Sequence, residues 1–398
     1  MLGIARLWIP SVMGFEKMYA ASQWVFSYDH GLIRRGLVGT VMKIWVPTVS
    51  IENIHHTALI AYGTFLAFLL IVFYALLRYK DKGGQLFKLI LFFVVNPATI
   101  SLLARNLGRF DLFLTIIMFL SMALVSLNRQ VWLIPILMTT AMFIHESFLI
   151  LYAPTIIASI IFVYFWNDRE KKILTTLVIS TVSVVAAFLI LYQYGNPTLG
   201  YKEFSSSIQM RATFQVTPLS MHECYFHIQD HYKVASSSLY DTGSIANLFL
   251  ALLILSPTIL ILLNLWSHAL KNCRVHHRAC MLFFLTTLSG LLVVPIATDY
   301  GRRLSGVIFC NFFVIFFFVS MDIIKVEELV EYAGSNSKQL FVFIILTYLL
   351  FAPFSDWNPY PYRDNLIYSS FFIGSVLLFD AGFYWQWRAL SKRIKSRE

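Results

Sequence analysis

Long apolar stretches follow one another along the whole of this 398-residue chain. Each comes close to the roughly 20 residues that a helix needs to cross a bilayer. The apolar runs are continuous and do not alternate with polar residues, which favours helices over strands. Only 13% of the residues are charged, against about 25% in soluble domains. The sequence therefore predicts an all-α, polytopic transmembrane helix bundle of about 12 spans, built as a single integral-membrane domain over 1–398.

The predicted spans are defined by hydropathy and by the polar residues that separate them. They cover residues 5–26, 57–77, 85–104, 111–127, 131–144, 147–166, 173–193, 244–265, 280–298, 304–321, 340–353 and 366–386. The first is marginal, because Arg6, Glu16 and Lys17 interrupt it. The stretches 131–144 and 340–353 are short for a full crossing.

Basic residues separate the two sides of the predicted bundle. Counting spans places five basic segments on one side: 78–84, 128–130, 167–172, 271–278 and the C-terminal tail. Cytoplasmic loops of membrane proteins carry an excess of Lys and Arg. That side, with both termini, is therefore predicted to be cytoplasmic. These loops also account for the net charge of +10, so the charge does not indicate nucleic acid as a partner.

Six arginines fall on the opposite, exoplasmic side, where the usual bias disfavours them. They come in three pairs, each close to a carboxylate: Arg34 and Arg35 with Asp29, Arg105 and Arg109 with Asp111, and Arg302 and Arg303 with Asp299. Guanidinium groups match the geometry of phosphate oxygens and stay charged when partly desolvated. One interpretation is an anion site for a lipid phosphate, with the carboxylates positioning the arginines. The alternative is that each arginine pairs with its neighbouring aspartate and only pins one loop to another.

The first exoplasmic loop, residues 27–56, contains the first candidate for catalysis. Asp29 has the chemistry to orient and deprotonate an attacking sugar hydroxyl. Residues 32–46 follow it with apolar side chains at near-helical spacing, which predicts a short amphipathic helix lying along the membrane interface.

A second candidate pair is His145 and Glu146, between two apolar stretches. Ionisable groups so near the membrane are costly, and they are candidates for acid–base work. The alternative is a buried histidine bonded to a carbonyl, with Glu146 paired to an arginine.

The large exoplasmic loop 194–243 carries several residues that bind metals in other contexts. His222, Glu223, His227 and His231 lie close together in its sequence. Their spacing does not fit the HExxH pattern, because residue 226 is phenylalanine. We therefore favour a structural or substrate-contacting role and predict no metal site, although a divalent metal stays possible as a cofactor.

The layout resembles the GT-C superfamily of integral-membrane glycosyltransferases, which use polyprenyl-phosphate or polyprenyl-diphosphate sugars. Asp29 in the first exoplasmic loop and the stretch 32–46 match the acidic residue and juxtamembrane helix typical of that superfamily. The segment NPATISLLARNLGRFDLFLT (96–115) is similar too, with a proline followed by a polar turn and an aspartate that opens the next span. The chain departs from the family pattern where two arginines follow the single Asp29. Its arginine-rich exoplasmic loops also resemble those of bacterial O-antigen polymerases.

The resemblance implies a transferase of the bacterial inner membrane that acts at the periplasmic face. Its substrates would be an undecaprenyl-(di)phosphate-linked sugar or oligosaccharide and a glycan acceptor, in surface polysaccharide assembly. One alternative is a polymerase that joins whole repeat units. Another is a transporter or flippase for a lipid-linked oligosaccharide, although the two halves show no internal repeat of the kind that many transporters have.

Overall fold

The described part of the protein is almost entirely helical. The computed structural model describes residues 15–80, 84–166, 170–226, 242–272, 277–296, 300–324, 342–348 and 372–385. Over these ranges the only strand-like pairing is a single parallel bridge between Val49 and Ala212. The prediction of an all-α chain is confirmed for the residues described.

Helices follow the apolar segments closely. The first eight are α1 (Phe15–Gln23), α2 (Gly36–Trp45), α3 (Ile51–Lys80), α4 (Gln85–Val95), α5 (Ile100–Arg105), α6 (Asp111–Leu127), α7 (Leu133–Ile144) and α8 (Phe148–Leu151). The next seven are α9 (Ala153–Trp166), α10 (Lys171–Tyr194), α11 (Tyr201–Met210), α12 (Pro218–Tyr225), α13 (Thr242–Asn272), α14 (His277–Thr287) and α15 (Tyr300–Ser320). Helical turns at 342–348 (α16) and Phe372–Trp385 (α17) complete the described chain. Short 3₁₀ segments occupy Tyr28–His30 and Ser289–Ile296.

Five of the described segments are long and apolar enough to cross a membrane. They are Ile51–Lys80, Leu86–Arg105, Lys171–Tyr194, Leu248–Lys271 and Tyr300–Ser320. Six further apolar helices are shorter, among them Asp111–Leu127 and Ala153–Trp166. The count of about 12 spans stays a prediction. Residues 5–14 of the first predicted span, and residues 340, 341 and 349–353 of the eleventh, lie outside the described residues.

Helix α15 lies at the centre of the bundle, while α3 and α10 lie at its periphery. The apolar window of α15 is 94% buried, against 28% in both α3 and α10. Phenylalanine rings of α15 pack on Phe93 of α4, with ring centroids 5.2 Å apart for Phe312 and 5.6 Å for Phe316. The outer helices expose large apolar side chains instead, including Ile71 and Val182. Such exposed surface suits contact with lipid.

Contacts between loops agree with the two sides that the charge pattern predicts. At one end, Lys80 Nζ lies 2.5 Å from Asp322 Oδ2, and Asn128 donates a hydrogen bond to Glu170. At the other end, loops bearing the predicted exoplasmic arginines meet. The assignment of the first end to the cytoplasm stays a prediction from the basic loops.

A layer of short helices covers the arginine-bearing end. Helix α2 begins at Gly36, four residues later than the predicted stretch 32–46, because residues 33–36 form a turn closed by the Gly36 N–H and the Ile33 carbonyl. Ile44 and Trp45 are more than two-thirds exposed, as an interfacial helix requires. Gly39 lies on the inner face, packed against the backbone of Trp24 and Phe26.

Candidate functional site

Arg35 is the centre of a buried network of charges at this end of the bundle. Its Nη2 lies 2.9 Å from Glu146 Oε1, and its Nε donates to Glu146 Oε2 at 3.3 Å. Its Nη1 lies 2.8 Å from Glu223 Oε2. Tyr19 of α1 donates its hydroxyl proton to the same Glu223 oxygen. One guanidinium group therefore connects the first exoplasmic loop to two segments more than a hundred residues away.

The backbone at Arg35 is held in an unusual conformation. Its φ of 61° places it in the left-handed region, directly before the first turn of α2. A non-glycine residue pays about 1–2 kcal/mol for that conformation. Two ion pairs hold the side chain in place and offset this cost. Strain of this kind is common where a side chain must be aimed at a functional site.

Arg34 reaches into the same region from the preceding position. Its Nη2 donates to the carbonyl oxygens of Glu223 and Phe226, the latter at 2.6 Å. Its Nη1 lies 3.8 Å from Glu146 Oε1. Arg34 thereby attaches the end of α12 to the first loop, and its charge adds to that of Arg35.

The second and third arginine pairs meet the first. Arg109 lies with its Cζ 5.7 Å from the ring centroid of Tyr19, the residue that shares Glu223 with Arg35. Arg302 Nε lies 3.2 Å from Asp111 Oδ2. The charges of Arg302 and Arg35 both act on Tyr19. Members of the three exoplasmic pairs thus converge, and Arg34, Arg35 and Arg302 each lie close to a carboxylate from a distant part of the chain.

The remaining predicted members occupy different places. Arg303 is buried, and its charge acts on His145. Arg105 is half-buried at the end of α5. Asp299 lies outside the described residues.

His145 is buried beside the network and is held in a neutral form. The Ser147 N–H donates to its Nδ1 at 3.2 Å, and Ser147 Oγ lies 3.0 Å from the same atom. Burial, together with the charges of Arg35, Arg302 and Arg303, lowers the pKa of His145 well below its ordinary value, although Glu146 opposes the shift. Because Nδ1 accepts a hydrogen bond, the ring proton belongs on Nε2. His145 is therefore equipped to donate a hydrogen bond.

Glu146 is held as a carboxylate. Burial alone would raise its pKa, but the charges of Arg35 and Arg34 and the hydrogen bond from Arg35 lower that pKa well below its ordinary value. A carboxylate with so low a pKa is a weak base at neutral pH. The geometry suits it to orienting Arg35, which corresponds to the arginine-paired alternative weighed from the sequence.

Asp29 lies apart from these arginines. Lys43 Nζ lies 2.7 Å from its Oδ2, and Ser27 Oγ donates to the same oxygen at 2.8 Å. Hydrogen bonding by Lys43 is the main reason that the pKa of Asp29 is lowered. The side chain is about one-third exposed, so it is open to a ligand arriving from outside the bundle.

Two members of the network were not among the predicted site residues. Glu223 drew notice only as part of a possible metal motif, and Tyr19 had no distinguishing signal in an apolar span. Within the described ranges, no group of three or more His, Cys, Asp or Glu side chains is placed to hold a metal ion. His227 and His231 lie outside those ranges.

No protein-family model, no curated protein and no solved structure matches this chain. The resemblance to the GT-C superfamily therefore stays an expectation from sequence. Any functional conclusion has to come from the chemistry of the network itself.

Proposed function

We propose that this chain is a GT-C-type glycan transferase of the bacterial inner membrane. It acts at the periplasmic face on a sugar or oligosaccharide linked to undecaprenyl phosphate or diphosphate, in the assembly of a surface polysaccharide. The observation that carries the proposal is the convergence of buried arginines from three loops at one end of an apolar helix bundle.

The charge and position of the network favour a lipid phosphate as its ligand. Its described members carry five guanidinium groups, from Arg34, Arg35, Arg109, Arg302 and Arg303, and three carboxylates, from Asp111, Glu146 and Glu223. Planar guanidinium groups bind phosphate oxygens in a bidentate manner, and partial burial strengthens the attraction. An anion at the end of an apolar bundle is the form in which a polyprenyl carrier presents its head group.

The reaction assigns distinct tasks to these residues. An acceptor hydroxyl forms a bond to the anomeric carbon while the bond from that carbon to the lipid phosphate breaks. Asp29, the more exposed carboxylate, accepts a hydrogen bond from the hydroxyl and orients it. It takes up the proton only as the new bond forms, when the attacking oxygen becomes strongly acidic, so its lowered pKa does not prevent this step. The arginines hold the departing phosphate and stabilise its charge, with Arg105 at the edge of the site. His145 donates from Nε2 to a phosphate oxygen, while Glu146, Glu223 and Asp111 position the guanidinium groups.

Two readings of the substrate are compatible with this chemistry. The chain adds single sugars, or it joins whole repeat units as an O-antigen polymerase does. Both use a polyprenyl-linked donor and an exoplasmic acceptor.

A transporter or flippase for a lipid-linked oligosaccharide is the second candidate. One observation favours it: Asp380 places a carboxyl group inside the apolar helix α17. Ionisable residues within spans often mark transport pathways. The clustering of charge at one end of the bundle favours the transferase.

The size profile of the surface polysaccharide in a strain lacking this chain tests the proposal. A polymerase predicts that the ladder of glycan lengths falls to a single repeat, and a single-sugar transferase predicts loss of one sugar throughout. Complementation with the wild-type chain restores the profile. An unchanged glycan structure, with or without accumulated lipid-linked intermediate, would rule out the transferase and favour transport.

A further inference from the structure

A proline breaks the hydrogen bonding of α13 in the middle of the bundle. Pro257 lies inside this 31-residue helix. Proline has no N–H, so the carbonyl four residues earlier, that of Leu253, loses its helical donor. The Ser256 hydroxyl replaces that donor, with its Oγ 2.8 Å from the Leu253 oxygen.

The same hydroxyl also contacts a carboxyl group. Ser256 Oγ lies 2.6 Å from Asp380 Oδ2 of α17. A serine hydroxyl has one proton and cannot donate to two oxygens at once. If Ser256 donates to Leu253, then the short contact with Asp380 requires a proton on the carboxyl group.

We propose that Asp380 holds a proton at neutral pH and donates it to Ser256, so that the pair forms a proton-binding site inside the bundle. This inference does not depend on the transferase proposal. It assigns to the chain a second chemistry, the uptake and release of a proton within its apolar interior.

The surroundings of Asp380 favour the protonated form. Its second oxygen, Oδ1, is buried and has no hydrogen-bond partner among the described residues. An isolated carboxylate in an apolar environment costs far more than a neutral carboxyl group. Among the described residues, Tyr348 of α16 is a titratable group on which the charge of Asp380 acts. On α13 the nearest titratable residues, His268 and Lys271, lie at least twelve positions beyond Ser256, and α17 has only Tyr384 besides Asp380.

A neighbouring chain of hydrogen bonds does not donate a proton to Asp380. Asn96 Nδ2 donates to Thr258 Oγ1 at 2.7 Å, and Thr258 Oγ1 lies 3.0 Å from the Tyr348 hydroxyl. Tyr348 in turn donates to the Ile254 carbonyl at 3.1 Å. The hydroxyl protons of Thr258 and Tyr348 therefore already have acceptors, and neither is available to Asp380.

Release of the proton would change the backbone of α13. A charged Asp380 draws the Ser256 proton to itself, and the Leu253 carbonyl is then left without a donor. The protonation state of Asp380 is therefore coupled to the helix break at Pro257. Discontinuous helices form the substrate and ion sites of many transporters.

Infrared difference spectroscopy on the purified chain in detergent tests this site. At neutral pH, the spectrum of the wild type minus that of Asp380→Asn should show the C=O stretching band of one protonated carboxyl group. Ser256→Ala should shift that band, because it removes the hydrogen-bond acceptor. Asp322→Asn, which changes an aspartate with a largely exposed side chain at the end of the bundle, should leave it in place.

Two results would overturn the proposal. One is a difference spectrum in which Asp380→Asn removes carboxylate bands and no protonated band. The other is a protonated band that Ser256→Ala does not move, since the proton would then be held by another partner. Ser256→Ala keeps Asp380 itself, so it gives an answer even where Asp380→Asn does not fold.

Discussion

Replacing Arg35 with alanine should unfold the arginine-bearing end of the protein and abolish transfer. Glu146 and Glu223 would remain buried without the guanidinium group that lies 2.9 Å from one and 2.8 Å from the other. Removing one partner of a buried ion pair typically costs about 3–5 kcal/mol. We expect a loss of that size in the free energy of unfolding, measured by denaturant titration in detergent micelles.

A triple variant separates stability from function in this prediction. Arg35→Ala combined with Glu146→Gln and Glu223→Gln removes the uncompensated charges, and it should recover much of the lost stability. It should not recover the proposed transfer, because the proposed phosphate site loses a central cation. Wild-type stability in the single variant, or transfer by the triple variant, would contradict the role given to Arg35.

Replacing Gly39 with alanine should have the largest effect on packing. A Cβ at this position would overlap the carbonyl oxygen of Phe26 and lie 2.7 Å from that of Trp24. Backbone atoms cannot rotate aside as a flexible side chain can, so α2 must move away. Overpacking typically costs about 1–3 kcal/mol, and we expect the upper end of that range. Arg35 precedes α2 directly, so its ion pairs should weaken as well.

Gly63 provides a matched control for this substitution. It lies within helix α3, and a Cβ there would meet no atom within 4 Å. Alanine is favoured over glycine in a helix by about 1 kcal/mol. Gly63→Ala should therefore leave stability unchanged or raise it slightly. Equal destabilisation by the two substitutions would mean that α2 does not pack on the Trp24–Phe26 backbone as described.

The helices were largely predictable from the sequence, because the hydropathy of each segment indicates locally whether that segment forms a helix. The stretch 111–127 coincides with α6, and 173–193 differs from α10 by two residues at the start and one at the end. Helix α4 ends directly before Asn96–Pro97 inside the predicted span 85–104, because proline disfavours a continuing helix. Segment 147–166 divides into α8 and α9 at Tyr152. Hydropathy alone does not predict this division.

The partners of the arginines were not predictable in the same way. Sequence proximity suggested Asp29 as the partner of Arg35. Helix α2 instead turns the chain so that Lys43 forms an ion pair with Asp29. Arg35 pairs with Glu146 and Glu223, which come from segments 111 and 188 positions further along. Such contacts depend on how the helices pack. A single sequence contains no periodic signal for them.

We propose that the arginine network binds the phosphate of a polyprenyl carrier. Thermal stabilisation of the purified chain by undecaprenyl diphosphate tests this proposal, with undecaprenol as the lipid that lacks phosphate. Arg302→Gln removes one charge of the network and retains a donor for Asp111. Arg78→Ala removes an arginine near the far end of α3. Ile54, near the start of that helix, lies beside Gly108, where an added Cβ would be 3.7 Å from it. Arg78 is roughly 36 Å further along the helix at 1.5 Å per residue.

Undecaprenyl diphosphate should raise the unfolding temperature of the wild type and of Arg78→Ala, while undecaprenol should not. Loss of one charge-assisted hydrogen bond costs about 1.5–3 kcal/mol, so Arg302→Gln should bind the diphosphate lipid roughly 10- to 100-fold more weakly. Equal stabilisation by both lipids, or unchanged affinity in Arg302→Gln, would contradict a phosphate site at this network.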